Sequence, residues 1–114
     1  MLKKNKTYCF DLDNTLCKTI KGDYKNSRPL SKPIYVVNTL YEKGNKIIIF
    51  TARFMGIMKG DVSKVYSVGY DLTKKQLDTW GVKYHELILG KPEYDLIIDD
   101  KSLFFKDDWY DYEI

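Results

Sequence analysis

Four short polar segments of the sequence each follow an apolar run, at residues 11–15, 51–53, 90–92 and 99–102. Their side chains include carboxylates, a threonine hydroxyl and a lysine ammonium. Groups of these types can attack phosphorus, donate to phosphoryl oxygens and offset the charge that develops on them. The four segments are therefore predicted to meet in one site for phosphoryl chemistry.

Four residues have the chemistry that such a site needs, and we predict them as its catalytic residues. Asp11 ends an apolar run and could attack phosphorus to form an aspartyl-phosphate, which divides one difficult displacement into two easier ones. Asp13 lies two residues further on and could protonate the leaving oxygen, then deprotonate the attacking water. Thr51 offers a hydroxyl donor for a phosphoryl oxygen, and Lys91 offers a fixed cation.

A divalent cation is expected at the same place, because a carboxylate and a phosphate repel each other. Mg²⁺ needs only one or two protein carboxylates, with waters and substrate oxygens completing its coordination. Asp11 and Asp100 are the predicted carboxylate ligands, and Mg²⁺ is the predicted cofactor.

Apolar runs at residues 7–10, 46–51 and 96–98 predict strands, and a weaker run at 84–89 predicts a fourth. The runs are apolar along their whole length and alternate with helical patterns, which favours a parallel sheet covered on both faces. Ligands bind beyond the carboxyl ends of the strands in such sheets, where the four polar segments fall. The predicted fold is a three-layer, Rossmann-like α/β domain over residues 1–114, with a central, mostly parallel sheet.

The segments between the strands carry helical signals. Ser31 is placed to cap a helix that stops at Gly44. Thr73 and Gln76 have capping-box spacing for a second helix. A shorter helix is predicted from residue 61 towards 68.

The segment at residues 17–30 is polar and rich in lysine, and it predicts a loop or small hairpin that could form a flap over the site. Its basic residues suit an anionic ligand, although solvated surface charge is the commoner cause of such a cluster. They are Lys18, Lys21, Lys25 and Arg28.

Composition narrows the classes of protein. The chain has 114 residues, 44% apolar and 31% charged, which is typical of one globular domain. Its net charge of +3 is too small for the basic face that phosphate-backbone binding requires, so no nucleic-acid partner is expected. The sequence has no run near the roughly 20 apolar residues of a membrane span, and its first residues lack the apolar run of a signal peptide, so neither is expected. Cys9 and Cys17 form no C-x-x-C pair, Cys9 is predicted to be packed, and a reduced, cytoplasmic protein is expected.

The ordered polar set resembles the haloacid-dehalogenase-like (HAD) superfamily, whose first motif is D-x-D-x-[TV], followed by a Ser or Thr, a Lys and an acidic pair. The matching residues are Asp11, Asp13, Thr15, Thr51, Lys91, Asp99 and Asp100. More narrowly, IIIFTARFMG (47–56), WGVKYHELILGKP (80–92) and YDLIIDDKS (94–102) are similar to small capsular-polysaccharide-biosynthesis phosphatases of bacteria. The resemblance extends from residue 8 to about residue 109.

The resemblance implies a role for each matched residue. Asp11 would be the nucleophile and Asp13 the general acid/base, with the main-chain carbonyl of Asp13 also on the metal. Asp100 would complete the magnesium site, and its neighbour Asp99 could orient the metal's waters. The other implied phosphoryl-binding residues are Thr51, Ala52 and Lys91.

Many HAD relatives carry a substrate-selecting cap domain, and this chain has no room for one. Specificity is then expected from the flap, from residues 53–69 or from a neighbouring subunit, which makes a dimer or tetramer a reasonable expectation. Arg53 could clamp a substrate anion or form a salt bridge with a nearby acid. His85 is predicted to have a structural role.

The leading interpretation is a magnesium-dependent phosphomonoesterase for a sugar or polyol phosphate in capsular or surface polysaccharide synthesis. One alternative is a polynucleotide 3′-phosphatase, against which the modest net charge argues. Another is a non-enzymatic module that accepts phosphate on Asp11 and retains it. Asp13 favours turnover over retention, because an acid/base two residues from the nucleophile assists hydrolysis of the intermediate.

Overall fold

A computed structural model of the protein describes residues 5–114. Two short 3₁₀ turns lie at Tyr24–Asn26 and Trp109–Asp111. In chain order the strands and α-helices are β1 (Thr7–Phe10), β2 (Cys17–Lys18), β3 (Arg28–Pro29), α1 (Ser31–Glu42), β4 (Lys46–Thr51), α2 (Val62–Thr79) and β5 (Glu86–Leu89).

The main sheet has the order β1-β4-β5, and all its strands are parallel. Phe10 of β1 pairs with Ile49 of β4, and Thr51 of β4 pairs with Leu89 of β5. The strands predicted at 7–10 and 46–51 are confirmed, and the one predicted at 84–89 is shorter, at 86–89. The chain therefore has a small Rossmann-like α/β fold, and its described residues contain no cap domain.

The strand predicted at residues 96–98 is wrong. The stretch between β5 and the second 3₁₀ turn contains no strand, and Leu96 and Ile98 are 77% and 91% exposed. A run of three apolar residues can make only a few ladder bonds, so its strand propensity alone does not fix it in a sheet. As a result β1 is an end strand, and among the described residues only β4 pairs with it.

The helix predicted after Ser31 is confirmed, but Ser31 is its first residue and makes no capping bond. Helix α2 is a single helix of 18 residues that begins after Asp61, whose side chain accepts a hydrogen bond from the Lys64 amide. The capping box predicted at Thr73 and Gln76 is wrong, because both residues lie inside α2. Their side-chain oxygens instead accept hydrogen bonds from Arg53, which lies at least 20 residues away in the sequence.

The core forms where the helices cover the sheet, with α1 against β4 and α2 against β5. Trp109 of the second 3₁₀ turn is buried against Phe10, with ring centroids 5.6 Å apart. His85 accepts a hydrogen bond from the Ile47 amide at 3.0 Å and stacks on Tyr41, which confirms its predicted structural role. Fully buried apolar residues of the core include Leu12, Val37, Leu40, Ile47, Ile49, Val65 and Leu77.

Strands β2 and β3 pair antiparallel, which confirms the small hairpin predicted at residues 17–30; we call these residues the flap. Its four basic residues are exposed. Both cysteines are free, and Cys17 is buried. The packed thiol predicted for Cys9 is wrong, because Cys9 lies on an end strand and is exposed. Within residues 5–114, no helix has the length and apolar character to cross a membrane.

Candidate functional site

In the loop that follows β1, three backbone amides donate hydrogen bonds to one carbonyl group. The Leu12 carbonyl accepts hydrogen bonds from the amides of Thr15, Leu16 and Cys17 at 3.1, 2.8 and 3.3 Å. Asn14 takes a left-handed conformation with φ of 62°, which asparagine tolerates better than most residues. The Leu12 side chain is fully buried and anchors the loop. Asp11 and Asp13, on either side of Leu12, both line one cavity.

This cavity has a volume of about 1040 Å³ and brings together several of the predicted site residues. Asp11, Asp13, Lys91 and Asp99 line it. The residues predicted at 51–53 and Asp100 are not among those that line it. Among its other lining residues are six aromatic ones, Tyr8, Phe10, Phe50, Tyr94, Phe105 and Trp109.

Lys91 and Asp11 form an ion pair in this cavity. Lys91 Nζ lies 3.5 Å from Asp11 Oδ1, and Thr15 Oγ1 donates a hydrogen bond to Asp11 Oδ2 at 3.3 Å. Burial acts to lower the pKa of Lys91, but the Asp11 carboxylate and Tyr94 outweigh it and the pKa is raised. The lysine is therefore a cation throughout the physiological pH range, while the Asp11 side chain stays 40% exposed to an incoming group.

The backbone positions Lys91 at the end of β5. Its amide donates a hydrogen bond to the Thr51 carbonyl at 3.2 Å, which ties it to the end of the neighbouring β4. Gly90 has φ of 92°, and a Cβ added there would lie 3.1 Å from Val62. Only glycine meets both requirements without strain or crowding, so Gly90 sets the direction in which Lys91 leaves the strand.

Thr51 and Ala52 directly follow Phe50, which lines the cavity, but neither of them lines it. Thr51 is fully buried, and its Oγ1 accepts a hydrogen bond from the Arg53 amide at 3.2 Å. The bond uses a lone pair and leaves the hydroxyl proton free to be donated. The phosphoryl-binding roles of both residues stay predictions.

Of the two alternatives for Arg53, the structure has the salt bridge. Arg53 Nη2 lies 2.9 Å from Asp13 Oδ1, and the arginine side chain has no solvent exposure. A clamp for a substrate anion needs an accessible guanidinium, and the buried Arg53 side chain gives the substrate-binding prediction no support, so that role stays a prediction. The guanidinium also donates to Thr73 at 3.3 Å and to Gln76 at 2.6 Å on α2, which uses its other edge.

The residues that hold Asp13 and Arg53 in place were not identified from the sequence. Thr19 Oγ1 donates to Asp13 Oδ1 at 2.6 Å, and Ser27 Oγ accepts from Arg53 Nη2 at 3.2 Å. Both belong to the flap. No spacing of hydroxyl residues in a polar loop predicts which of them will bind a distant carboxylate or guanidinium. The polar character of the flap was the one signal that its side chains could form such bonds.

Any metal ion in this cavity would have to keep most of its waters. Within the described part of the chain, no three or more side chains of histidine, cysteine, aspartate or glutamate are grouped to hold a metal. Asp11 and Asp99 each offer one carboxylate to the cavity, while Asp100 is exposed elsewhere. Mg²⁺ accepts so few protein ligands because it keeps most of its waters, whereas a structural zinc ion requires four protein ligands. These residues therefore fit Mg²⁺ better than a metal that the protein encloses.

No protein-family model and no curated protein matches the sequence. The crystal structure of a structural genomics target from Vibrio cholerae matches with a TM-score of 0.83 and 30% identity, over 92% of this chain and 86% of that one. Two structures of the Pnkp1/Rnl/Hen1 complex, described in one case as an RNA repair complex, each match with a TM-score of 0.54. Their identities are 18% and 17%, over 77% and 96% of this chain but only 28% and 30% of theirs. At that identity the likeness shows the fold alone.

Proposed function

We propose that this chain, which belongs to the same family as the Vibrio cholerae protein, is a magnesium-dependent phosphomonoesterase that works through an aspartyl-phosphate on Asp11. The observation that carries the proposal is the pair of Asp11 and Lys91. A partly exposed carboxylate faces a cavity, with an ammonium at 3.5 Å and a threonine hydroxyl at 3.3 Å. An ammonium beside a carboxylate offsets the negative charge that makes the attack of one anion on another unfavourable.

The reaction proceeds in two displacements. In the first, a carboxylate oxygen of Asp11 bonds to phosphorus, the bond from phosphorus to the ester oxygen breaks, and Asp13 gives that oxygen a proton. In the second, Asp13 removes a proton from a water that attacks phosphorus, and the bond to Asp11 breaks to release phosphate. Lys91 offsets the charge on the phosphoryl oxygens in both steps.

Mg²⁺ would be held by the carboxylates of Asp11 and Asp100 and the main-chain carbonyl of Asp13, with Asp99 orienting its waters. When bound, it neutralises charge between the nucleophile and the phosphoryl group. Asp100 does not line the cavity, and a shift of residues 96–98 towards β1 would bring it to Asp11. The unpaired edge of β1 could accept their backbone hydrogen bonds, and the exposed Leu96 and Ile98 would gain burial.

A small phosphorylated metabolite, such as a sugar or polyol phosphate of capsular or surface polysaccharide synthesis in the cytoplasm, is the proposed substrate. The narrower resemblance at residues 47–56, 80–92 and 94–102 supports this class. The cavity volume of about 1040 Å³ is at the upper end of the range for small-molecule sites. The aromatic residues among its lining could pack against the faces of a sugar ring.

A polynucleotide 3′-phosphatase is the second candidate, and the fold likeness to the RNA repair complex is the observation that favours it. The net charge of +3 argues against it, because binding to a phosphate backbone requires a track of lysine and arginine. Higher activity on a 3′-phosphorylated oligonucleotide than on sugar phosphates, falling steeply with salt, would establish this alternative.

Phosphate release from a panel of phosphorylated metabolites, with Mg²⁺ and with EDTA, tests the proposal. Asp11→Asn is expected to lose at least about a thousandfold in rate, as when a nucleophile is removed. Asp71→Asn is the matched control, because Asp71 is exposed on α2 and is expected to keep the wild-type rate. Equal rates for wild type and Asp11→Asn would overturn the proposal, and a stable phosphorylated protein in intact-mass spectra would favour the non-enzymatic module.

A further inference from the structure

The two carboxylate oxygens of Asp13 have different surroundings. Oδ1 accepts hydrogen bonds from Arg53 Nε at 3.1 Å, from Arg53 Nη2 at 2.9 Å and from Thr19 Oγ1 at 2.6 Å, and Cys17 Sγ lies 3.6 Å away. Within the described residues, Oδ2 has one donor, Arg53 Nε at 3.0 Å. Because Asp13 lines the cavity and its side chain is 20% exposed, Oδ2 is the oxygen with lone pairs left for a proton in the cavity.

Arg53 also connects Asp13 to the flap and to α2. Its Nη2 donates to Ser27 of the flap, and its guanidinium lies 5.0 Å from the ring centroid of Tyr24, another flap residue. Gln76 of α2 accepts from Arg53 Nη1 and donates to the Tyr24 carbonyl at 2.7 Å. The same guanidinium therefore fixes a site carboxylate and closes the flap against the domain.

We propose that Arg53 is a positioning residue, which holds Asp13 with Oδ2 towards the cavity and couples that orientation to closure of the flap. The catalytic part of this inference rests on the proposed phosphomonoesterase activity. Arg53 does not touch the substrate, because its side chain is fully buried.

The inference predicts that the planar fork of arginine is required in addition to its charge. The guanidinium reaches Asp13 through Nε and Nη2, the flap through Nη2 and α2 through Nη1, all in fixed directions. An ammonium is a single point that cannot span these acceptors. Arg53→Lys keeps the charge and removes the fork, and Arg53→Met removes both. The two variants together separate geometry from charge.

Cys17 provides a readout of flap closure that does not depend on activity. Its thiol is buried where the flap meets Asp13 and Arg53, and in a Cys9→Ser background it is the one cysteine of the sequence. Burial and then the Asp13 carboxylate raise the pKa of this thiol to about 11, and Arg53 acts to lower it. Loss of the guanidinium would therefore slow thiol labelling by itself, so that faster labelling reports opening of the flap.

The experiment measures Cys17 labelling and steady-state phosphate release for each variant, with urea unfolding to correct for global opening. We expect labelling to rise at least tenfold in Arg53→Lys and Arg53→Met, and to be unchanged in Arg28→Lys, which alters the exposed arginine of the flap. We also expect kcat of Arg53→Lys to fall about 10- to 100-fold, with KM changed less than twofold, because a displaced acid/base impairs the chemical step.

Several results would overturn the inference. If Cys17 is labelled in both Arg53 variants at the same rate as in wild type, the guanidinium does not close the flap. Faster labelling with an unchanged kcat would exclude a positioning role, and a raised KM with an unchanged kcat would indicate a substrate contact instead. If wild type releases no phosphate from any compound, the proposed function fails, while the labelling rates still decide whether Arg53 secures the flap.

Discussion

Lys91 Nζ lies 3.5 Å from Asp11 Oδ1, although Lys91 follows β5, Asp11 follows β1, and β4 lies between these strands. The pair therefore spans the central strand at the carboxyl edge of the sheet. This edge is where parallel α/β sheets bind ligands. The sequence motifs had predicted that these two residues belong to one site. The contribution of the ion pair to the free energy of unfolding can be tested separately from activity.

The ion pair predicts a particular pH dependence of stability. The pKa of Lys91 is raised above its ordinary value of 10.5, so its contribution is fully present below 10.5 and is lost as pH rises through the higher folded value. Lys91→Met should therefore cost about 1 kcal/mol of unfolding free energy, constant from pH 7 to 9 and shrinking above about 10.5. Urea titrations of both proteins at each pH measure the difference, and a decline already between pH 7 and 9 would contradict the assignment.

Gly90→Ala should impair activity beyond its cost in stability. The positive φ and the contact with Val62 should cost about 1–3 kcal/mol and turn Lys91 away from Asp11. Gly44→Ala is the matched control, because Gly44 has φ of 93° with nothing near its added Cβ and lies far along the chain from the site. Urea unfolding and phosphate release measure both effects. If the two variants keep equal activity, Gly90 has no special role in placing Lys91.

The pair of Asp13 and Arg53 should show strong coupling in a double-mutant cycle. Asp13→Asn and Arg53→Met each leave a largely buried partner uncompensated, and each should lower the unfolding free energy by about 3 kcal/mol. The double variant should lose less than the sum, because the second change removes a group that the first left unpaired. Urea denaturation of the four proteins gives the coupling energy, and additive losses would show that the contact contributes little.

The two cysteines should differ in reactivity. Cys9 is exposed, whereas Cys17 is buried and burial, with Asp13, raises its pKa to about 11. A thiol reagent at pH 8 should therefore modify one thiol per native chain rapidly and the second only on unfolding. Mass spectrometry of digests identifies the modified residue, with Cys9→Ser and Cys17→Ser as controls. Rapid modification of Cys17 in the native protein would contradict the described packing around it.

The predictions from sequence succeeded where the signal is local. Strands β1 and β4 are runs of largely β-branched and aromatic residues, and polar residues follow each of them directly, so both the strand and the polar segment at its end could be predicted together. The partner of Arg53 could not be chosen, because it depends on a contact across 40 residues that no local pattern encodes. Thr73 and Gln76 were misassigned for the same reason, since their spacing suits a cap and their actual partner is distant.

Residues 96–98 provide the last prediction, because their sequence favours a strand and the structure leaves them exposed beside an unpaired edge. In the free protein their amides have no backbone partner among the described residues and should exchange with solvent within seconds. Mg²⁺ with beryllofluoride, a mimic of aspartyl-phosphate, should draw Asp100 towards Asp11 and pair this segment with β1. Exchange of its amides should then slow at least tenfold, measured by hydrogen–deuterium exchange with mass spectrometry. Asp11→Asn cannot bind the mimic and should show no slowing, and equal exchange in free and loaded wild type would mean that Asp100 takes no part in the site.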